Sequence, residues 1–417
     1  MRVAVGPSRL QGKIAAPASK SVAHRALICS ALASGASEVF PLAPSQDIQA
    51  TAQALQAMGA SIRWEDTVIR VTGIRACPEQ AQMDCKESGS TLRFLIPVAA
   101  ALGICASFTG SGRLPERPLG PYRTAFIEKG VSLDSNFLPL HLHGRLQPGC
   151  YTLPGDISSQ FITGLLFALP LLDGDSRIQL STPLESAPYV ALTIDVLRQC
   201  GIVVHWTDNT IQIPGRQQYQ PRQWKVEADY SNAAFFLVAG ALGNDVKLIN
   251  LPDYSLQGDQ DILRILDLFG AAPVRKDGAV WFQQRICRPV QIDAKNIPDL
   301  VPILCVAAAA APGKTVITGT KRLKIKESDR AGAMVDCLTR LGADIRQEPD
   351  ALTICGGRPL HGAVVSSYSD HRIAMSMAIA SCLADSPVVI EQAQAVEKSY
   401  PRFFEDFKAL GGIVHVV

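Results

Sequence analysis

A glycine recurs along this chain at Gly59, Gly130, Gly201, Gly270, Gly342 and Gly411, in steps of 69 to 72 residues. Each ends a short amphipathic run and opens a β-rich one, as in Met58-Gly59-Ala60 and Leu341-Gly342-Ala343. Glycine suits the left-handed backbone position that closes a helix. A second series keeps step with the first. Lys20, Ser88, Ser158, Asp229, Asp299 and Asp370, 68 to 71 residues apart, each stand in a polar cluster that opens a run of small and apolar residues. Residues 161–169 and 301–310 are examples. A helix that is apolar all round has no face for water and belongs in a core. Two features per period over six periods mean six copies of one unit. Each unit holds one buried helix, one more amphipathic helix and short strands between them. In the first unit these are the buried run 21–34, the helix 47–58, and strands 61–65 and 68–71 around Asp66-Thr67.

At 417 residues the chain is too long for one ordinary core. Six units divide naturally into two domains of three, residues 18–227 and residues 228–417. The N-terminal strand, residues 1–17, joins the second. A hydrophobic fraction of 47% allows large cores in both. The net charge is +2 and there is no basic block, which excludes nucleic acid as a partner. No apolar run is long enough to span a bilayer. The opening residues read as a strand, not a signal or transit peptide. The 11 cysteines are scattered, without a C-x-x-C pair. Cys29, Cys105, Cys305, Cys337 and Cys382 sit in apolar runs, as buried thiols of a reducing cytoplasm do, and not as disulfides or zinc ligands.

The chemistry lies where the polar clusters open the helices. A helix N-terminus carries free N–H groups and partial positive charge, so acids belong there and bases do not. Yet Lys20, Arg25, Arg93, Arg117, Lys326, Arg330, His371, Arg372 and Lys398 all fall in or near such clusters. Lys326 and Arg330 are four apart, a spacing at which like charges repel on a helix face. For that stretch alone, Glu327 pairing with Arg330 is the plainer reading. Repetition of the pattern points instead to an anionic ligand, phosphate or carboxylate, that the cations share with the helix N-termini. No Walker A or G-x-G-x-x-G motif suggests a nucleotide loop.

Nine clusters, in order, carry a resemblance. They are residues 18–25 (Ala-Ser-Lys-Ser-Val-Ala-His-Arg), 87–93 (Glu-Ser-Gly-Ser-Thr-Leu-Arg), 115–120, 158–161, 186–189, 296–299, 326–330 (Lys-Glu-Ser-Asp-Arg), 369–372 (Ser-Asp-His-Arg) and 398–401. Together they resemble the enolpyruvyl transferases, in the branch that acts on shikimate 3-phosphate. The resemblance covers essentially the whole chain. It implies an α/β fold of two domains, each an inside-out barrel of three βαβαββ repeats with buried helices, closing over substrate. It also implies the reaction: the enolpyruvyl group of phosphoenolpyruvate passes to the 5-hydroxyl of shikimate 3-phosphate through a tetrahedral adduct, with release of phosphate. No cofactor and no metal are expected, and the protein is expected to be a cytoplasmic monomer that binds neither nucleic acid nor membrane. Glyphosate is the family's inhibitor at the phosphoenolpyruvate site.

The resemblance also implies roles. Lys20, Ser21, Arg25, Ser158, Ser159, Gln160, Ser186, Tyr189, Asp299, Arg322 and Lys326 would contact shikimate 3-phosphate. Lys20, Gly89, Arg117, Gln160, Arg330, Arg372 and Lys398 would hold phosphoenolpyruvate. Lys20, Asp299, Lys326 and Glu327 are the catalytic candidates, with Arg93 and His371 in support. As isolated residues, the serines and Asp299 would read as helix N-caps. A lysine crowded by arginines should have a lowered pKa and a carboxyl desolvated by ligand a raised one, which would suit Lys326 and Glu327 to proton transfer near neutrality. Two positions depart from the family pattern. Glu87 stands where many members have Asn, and Arg322 where some have Asn. The sister branch, acting on UDP-N-acetylglucosamine, is the alternative; it usually has Lys-Asn in place of Lys20-Ser21 and a cysteine in the loop at 113–120, where this chain has none. A non-catalytic phospho-ligand-binding repeat protein is the other alternative, and the presence of Lys326, Glu327 and Asp299 argues against it.

Overall fold

The computed structural model describes residues 1–42 and 44–417. The chain divides into two compact units: Ala18–Val226, and Met1–Pro17 with Glu227–Val417. The division therefore falls between Val226 and Glu227.

Twelve α-helices occur among the described residues. In the first unit they are α1 (Lys20–Leu32), α2 (Gln46–Ala57), α3 (Gly89–Leu102), α4 (Gly120–Ala125), α5 (Ser159–Ala168) and α6 (Ala187–Gln199). In the second they are α7 (Tyr230–Ala241), α8 (Ile262–Leu268), α9 (Val301–Ala310), α10 (Arg330–Arg340), α11 (His371–Ala380) and α12 (Phe403–Ala409). The odd-numbered helices are buried on nearly every side. The even-numbered ones keep a wet face, as the amphipathic pattern requires.

Helix starts and stops follow the two series. Ser19, Ser88, Ser158, Asp229 and Asp370 cap α1, α3, α5, α7 and α11, each side-chain oxygen accepting from a backbone N–H in the first turn. Such caps are worth about 1 kcal/mol each. Asp299 is the exception: Leu300 is the N-cap of α9, and Pro302 sits in its first turn. The six periodic glycines all have positive φ, from 76° at Gly130 to 107° at Gly59. Only glycine adopts that geometry without cost.

Among the described residues, six four-stranded sheets accompany the helices. In the second repeat, Gln80–Asp84 runs parallel to Cys105–Thr109, and the crossover between them is α3. Leu140–Gly144 pairs antiparallel to Cys105–Thr109 and also to the edge strand Val131–Leu133. Parallel neighbours need a long crossover, and α3, α5, α9 and α11 each supply one between two parallel strands of the same sheet. Gln223–Lys225 returns to pair with Ala36–Phe40, so the first unit closes on itself. The N-terminal segment belongs to the second unit by hydrogen bonding. Gln11–Ala15 runs parallel to Asp245–Ile249, and Arg2–Val5 lies between Val388–Glu391 and Val414–Val416.

In the first unit the buried helices meet through an aromatic line. His24 on α1 stands edge-on to Phe94 on α3, and Phe94 edge-on to Phe167 on α5. In the second, Phe235 and Phe236 of α7 pack on Phe403 of α12. Cys29, Cys305 and Cys337 are buried as expected; Cys105 and Cys382 are only half-buried.

Candidate active site

The candidate residues form one constellation in each unit. In the first, Lys20 opens α1 and its Nζ lies 2.5 Å from Asp47 Oδ2 at the start of α2. Arg25, one turn further on, is 3% exposed. Its Nε donates to Thr193 Oγ1 (2.9 Å), Nη1 to the Ser21 carbonyl (2.7 Å) and Nη2 to the Tyr189 carbonyl (3.1 Å). All three partners are neutral. Burial lowers the Arg25 pKa to about 10, against smaller opposing effects of Tyr189 and Cys29. A buried guanidinium bonded only to uncharged oxygens is under-neutralised, which favours an anion from outside.

A second group gathers at the start of α3. The Arg93 Nη1 donates to Gln160 Oε1 at 3.1 Å, and Gln160 Nε2 donates to Ser90 Oγ at 3.1 Å. The Arg93 guanidinium stacks over Phe161, 5.2 Å from the ring centre. Gly89 lies under two arginines: a Cβ there would stand 2.8 Å from Arg117 Nη1 and 2.8 Å from Arg93 Nη1. Arg117, 9% exposed, follows the 3-10 turn Leu114–Glu116. Glu87 turns toward the next loop, where a Cβ on Gly112 would meet its Oε2. Ser158 caps α5 through the Gln160 N–H at 3.3 Å, with Ser159 as the first residue of that helix. Ser186 precedes α6 in the left-handed conformation, φ 59°, and its hydroxyl makes no cap bond.

The second unit holds a denser cluster. Arg330, 2% exposed, sits among three carboxylates. Its Nε donates to Asp370 Oδ2 (2.8 Å), Nη1 to Asp299 Oδ1 (2.7 Å) and Nη2 to Glu327 Oε2 (2.7 Å). Lys326 Nζ donates to Asp299 Oδ1 at 3.4 Å, and Arg372 Nη2 to Asp299 Oδ2 at 3.3 Å. Ser328 donates to Asp370 at 3.0 Å. Three acids and three bases thus share one network. Burial alone would lower the Arg330 pKa, but Asp370, Glu327 and Asp299 together outweigh it and hold it above its ordinary value. The Lys326 pKa is lowered, chiefly by burial; Asp299 and Glu327 oppose the shift while Arg330 and Arg322 add to it. The expected direction holds, but desolvation leads, not crowding by arginines.

The absent anion expected at residues 326–330 is not required by their charges. Lys326, Arg330 and Arg372 need no absent anion to stand together, because Asp299, Glu327 and Asp370 supply the negative charge. The N-cap reading of Asp299 also fails, since its carboxylate is spent on these cations. Arg322 donates to the Lys295 carbonyl at 2.6 Å. Lys398 donates to the Ser369 carbonyl, and His371 Nδ1 lies 3.7 Å from Asp370 Oδ1.

Sequence reasoning missed Asp47 and the pairing role of Asp370. A signal for Asp47 exists. Lys20 and Asp47 are 27 apart, and so are Asp299 and Lys326. Lys20 and Asp299 hold equivalent places in the 70-residue series, so the same ion pair recurs in the two units with its charges exchanged. Asp259 was missed too. It is 2% exposed, with Oδ1 lacking any hydrogen-bond partner. Burial raises its pKa to about 7, helped by the charges of Asp299 and Asp229 and opposed by Arg372. The Ser231 hydroxyl stands near enough to lower it slightly, though outside hydrogen-bond geometry.

The comparisons with known proteins agree with one another. Residues 5–407 match the family described as EPSP synthase (3-phosphoshikimate 1-carboxyvinyltransferase). A 3-phosphoshikimate 1-carboxyvinyltransferase of Clostridium kluyveri is 43% identical over 414 residues, covering 98% of this chain and 97% of that one. One from Clostridioides difficile is 41% identical over 421 residues, covering 97% and 96%. Among solved structures, EPSP synthase from Acinetobacter baumannii superposes with a TM-score of 0.83 at 27% identity, covering all of both chains.

Proposed function

Because the chain belongs to the EPSP synthase (3-phosphoshikimate 1-carboxyvinyltransferase) family, with that family's two-domain α/β fold, it is an enolpyruvyl transferase of the shikimate pathway, and we propose how its residues share the work. The enzyme transfers the enolpyruvyl group of phosphoenolpyruvate to shikimate 3-phosphate. The hydroxyl oxygen of shikimate 3-phosphate bonds to C2 of phosphoenolpyruvate, the hydroxyl proton leaves, and the methylene carbon gains a proton. The adduct then loses that carbon's proton and its C2–O bond to phosphate, restoring the double bond. Atoms and protons balance without a cofactor.

In this reading the Ala18–Val226 unit recognises shikimate 3-phosphate. Arg25, bonded only to neutral oxygens, supplies charge, and Ser21, Ser158, Ser159, Ser186, Gln160 and Tyr189 supply the neutral polar contacts. Lys20, Gly89, Arg117 and Gln160 meet phosphoenolpyruvate from the same unit. Among residues of the other unit, Arg330, Arg372 and Lys398 are the phosphoenolpyruvate ligands and Arg322 a shikimate 3-phosphate ligand. The proton work falls to Asp299, Lys326 and Glu327. The observation that carries this assignment is Asp299, whose carboxylate receives Lys326, Arg330 and Arg372 at once. A base and a candidate acid then sit in one hydrogen-bonded network, where a proton moves without crossing bulk water. Arg93 orients Gln160, and His371 stands beside Asp370. We further take the enzyme to work as a cytoplasmic monomer on small molecules alone, with glyphosate competing at the phosphoenolpyruvate site. No helix among the described residues is long and apolar enough to cross a membrane.

The test is phosphate release from phosphoenolpyruvate by the purified protein. Release that requires shikimate 3-phosphate is expected; release without it, or none with both, would overturn the reading.

A further inference from the structure

In the Ala18–Val226 unit, each outer helix places one hydroxyl between two buried helices. Thr51 Oγ1 of α2 lies 2.7 Å from His24 Nδ1 on α1 and 2.6 Å from Thr91 Oγ1 on α3. Thr193 Oγ1 of α6 receives Arg25 Nε from α1 at 2.9 Å and lies 3.0 Å from Thr163 Oγ1 on α5. Tyr122 of α4 turns its hydroxyl to the carbonyls of Arg93 on α3 (2.6 Å) and Phe161 on α5 (2.9 Å). The three buried helices are thereby joined in every pairing. Thr51, Tyr122 and Thr193 are each fully buried, at 0% exposure. Every residue they reach lies in the first two turns of its helix. Those same turns carry Lys20, Ser21, Gly89, Ser159 and Gln160.

Counting protons gives the Thr51 bridge a direction. Thr91 Oγ1 donates its one proton to Ser88 Oγ at 2.7 Å. Thr51 must then donate to Thr91, and His24 Nδ1 to Thr51. That places the His24 proton on Nδ1 and leaves Nε2 bare, and Nε2 indeed has no hydrogen-bond partner. Burial, reinforced by Lys20 and Arg25, lowers the His24 pKa well below its ordinary value, so the ring is neutral. The line ends on Ser88, the cap of α3 and the residue before Gly89. At the Tyr122 bridge, Gly164 lets α5 come close: a Cβ there would stand 2.1 Å from the tyrosine oxygen and 2.3 Å from the Arg93 carbonyl. The second unit uses a charged version of the device. Arg330, first residue of outer helix α10, joins Asp299 ahead of α9 to Asp370, the cap of α11.

We propose that Thr51, Tyr122 and Thr193 are positioning residues, buried bolts that set the spacing of the three helix starts holding the substrates' anionic groups. Thr51 governs the phosphoenolpyruvate contacts, since it ties the helix of Lys20 to that of Gly89. Thr193 governs shikimate 3-phosphate, since it holds Arg25 directly. This rests on the substrate assignments above. Buried hydroxyls suit the task because a broken bond leaves an unsatisfied partner in a low-dielectric core, which penalises every other spacing.

The experiment measures kcat, both KM values and the melting temperature for Thr51→Val, Thr51→Ser, Thr193→Val and Thr193→Ser in the full-length enzyme. Thr51→Val should raise the KM for phosphoenolpyruvate ~10-fold and leave that for shikimate 3-phosphate within about twofold; Thr193→Val should do the reverse. Small misplacements of binding groups have effects of this order. The serine variants, which keep the hydroxyl, should restore each KM. Valine variants with both KM values unchanged, or both raised alike, would overturn the proposal, whatever the melting temperature does. An inactive wild type would instead strike the substrate assignments. Nitrogen-15 NMR of His24 in the wild type needs neither turnover nor a variant. A proton on Nδ1 is expected, and one on Nε2 would overturn the Thr51 bridge.

Discussion

Arg330 holds Asp299 through Nη1 and Oδ1 at 2.7 Å, and the same guanidinium reaches Asp370 with Nε at 2.8 Å. Asp370 has no exposed surface and Arg330 almost none. Removing one member of a buried, hydrogen-bonded ion cluster leaves its partners charged and unpaired, at a cost of about 3–5 kcal/mol. Arg330→Met should therefore lower the unfolding free energy by that order, read as a lower urea midpoint. Adding Asp370→Asn should recover part of it. A variant as stable as the wild type would mean that Asp299 and Asp370 find other cations.

Gly89→Ala puts a methyl 2.8 Å from the ends of Arg93 and Arg117. Both are tips of flexible side chains, so they can retreat and the fold should survive. What changes is the anion site they border. The KM for phosphoenolpyruvate should rise several-fold, and glyphosate, the slightly longer anion, should weaken by a larger factor. Measuring both on one preparation decides it. An unchanged ratio of inhibitor constant to KM would contradict the steric account.

The fold was largely legible because it repeats. Positive-φ glycines and capping residues are local signals, and six copies made each one readable. The candidate residues were legible as motifs, but their pairings were not. Lys20 with Asp47 shows only through its repeat in Asp299 with Lys326, at the same spacing of 27; Arg330 with Asp370 and Arg25 with Thr193, 40 and 168 residues apart, have no such counterpart. Counting cations at helix starts suggested a missing anion. In the second unit the cations' own charge does not require one, because the carboxylates that neutralise Lys326, Arg330 and Arg372 come partly from neighbouring repeats.

Asp259 gives stability a pH dependence. Its folded pKa is raised from 3.8 to about 7, so between these values the folded chain holds a proton that the unfolded chain has lost. Stability must then fall as pH rises from about 4 to 7, and above 7 the full cost of a buried carboxylate remains. A shift of this size is worth on the order of 4 kcal/mol. Asp259→Asn should gain on the wild type across that window and hold the gain above it. Urea midpoints at pH 5 and pH 8 check this, and a difference between the proteins that does not change with pH would contradict it.

We propose that Glu327, with Asp299 and Lys326, handles protons and does not merely pair with Arg330. Glu327→Gln separates these, because the amide oxygen can still accept from Arg330 Nη2 while the group no longer carries a proton to transfer. The decisive measurement is turnover together with the calorimetric dissociation constant for shikimate 3-phosphate, on that variant and the wild type. Turnover should fall ~10²-fold or more, the usual scale of general acid–base catalysis, with the dissociation constant nearly unchanged. Turnover at the wild-type rate would make Glu327 only the partner of Arg330.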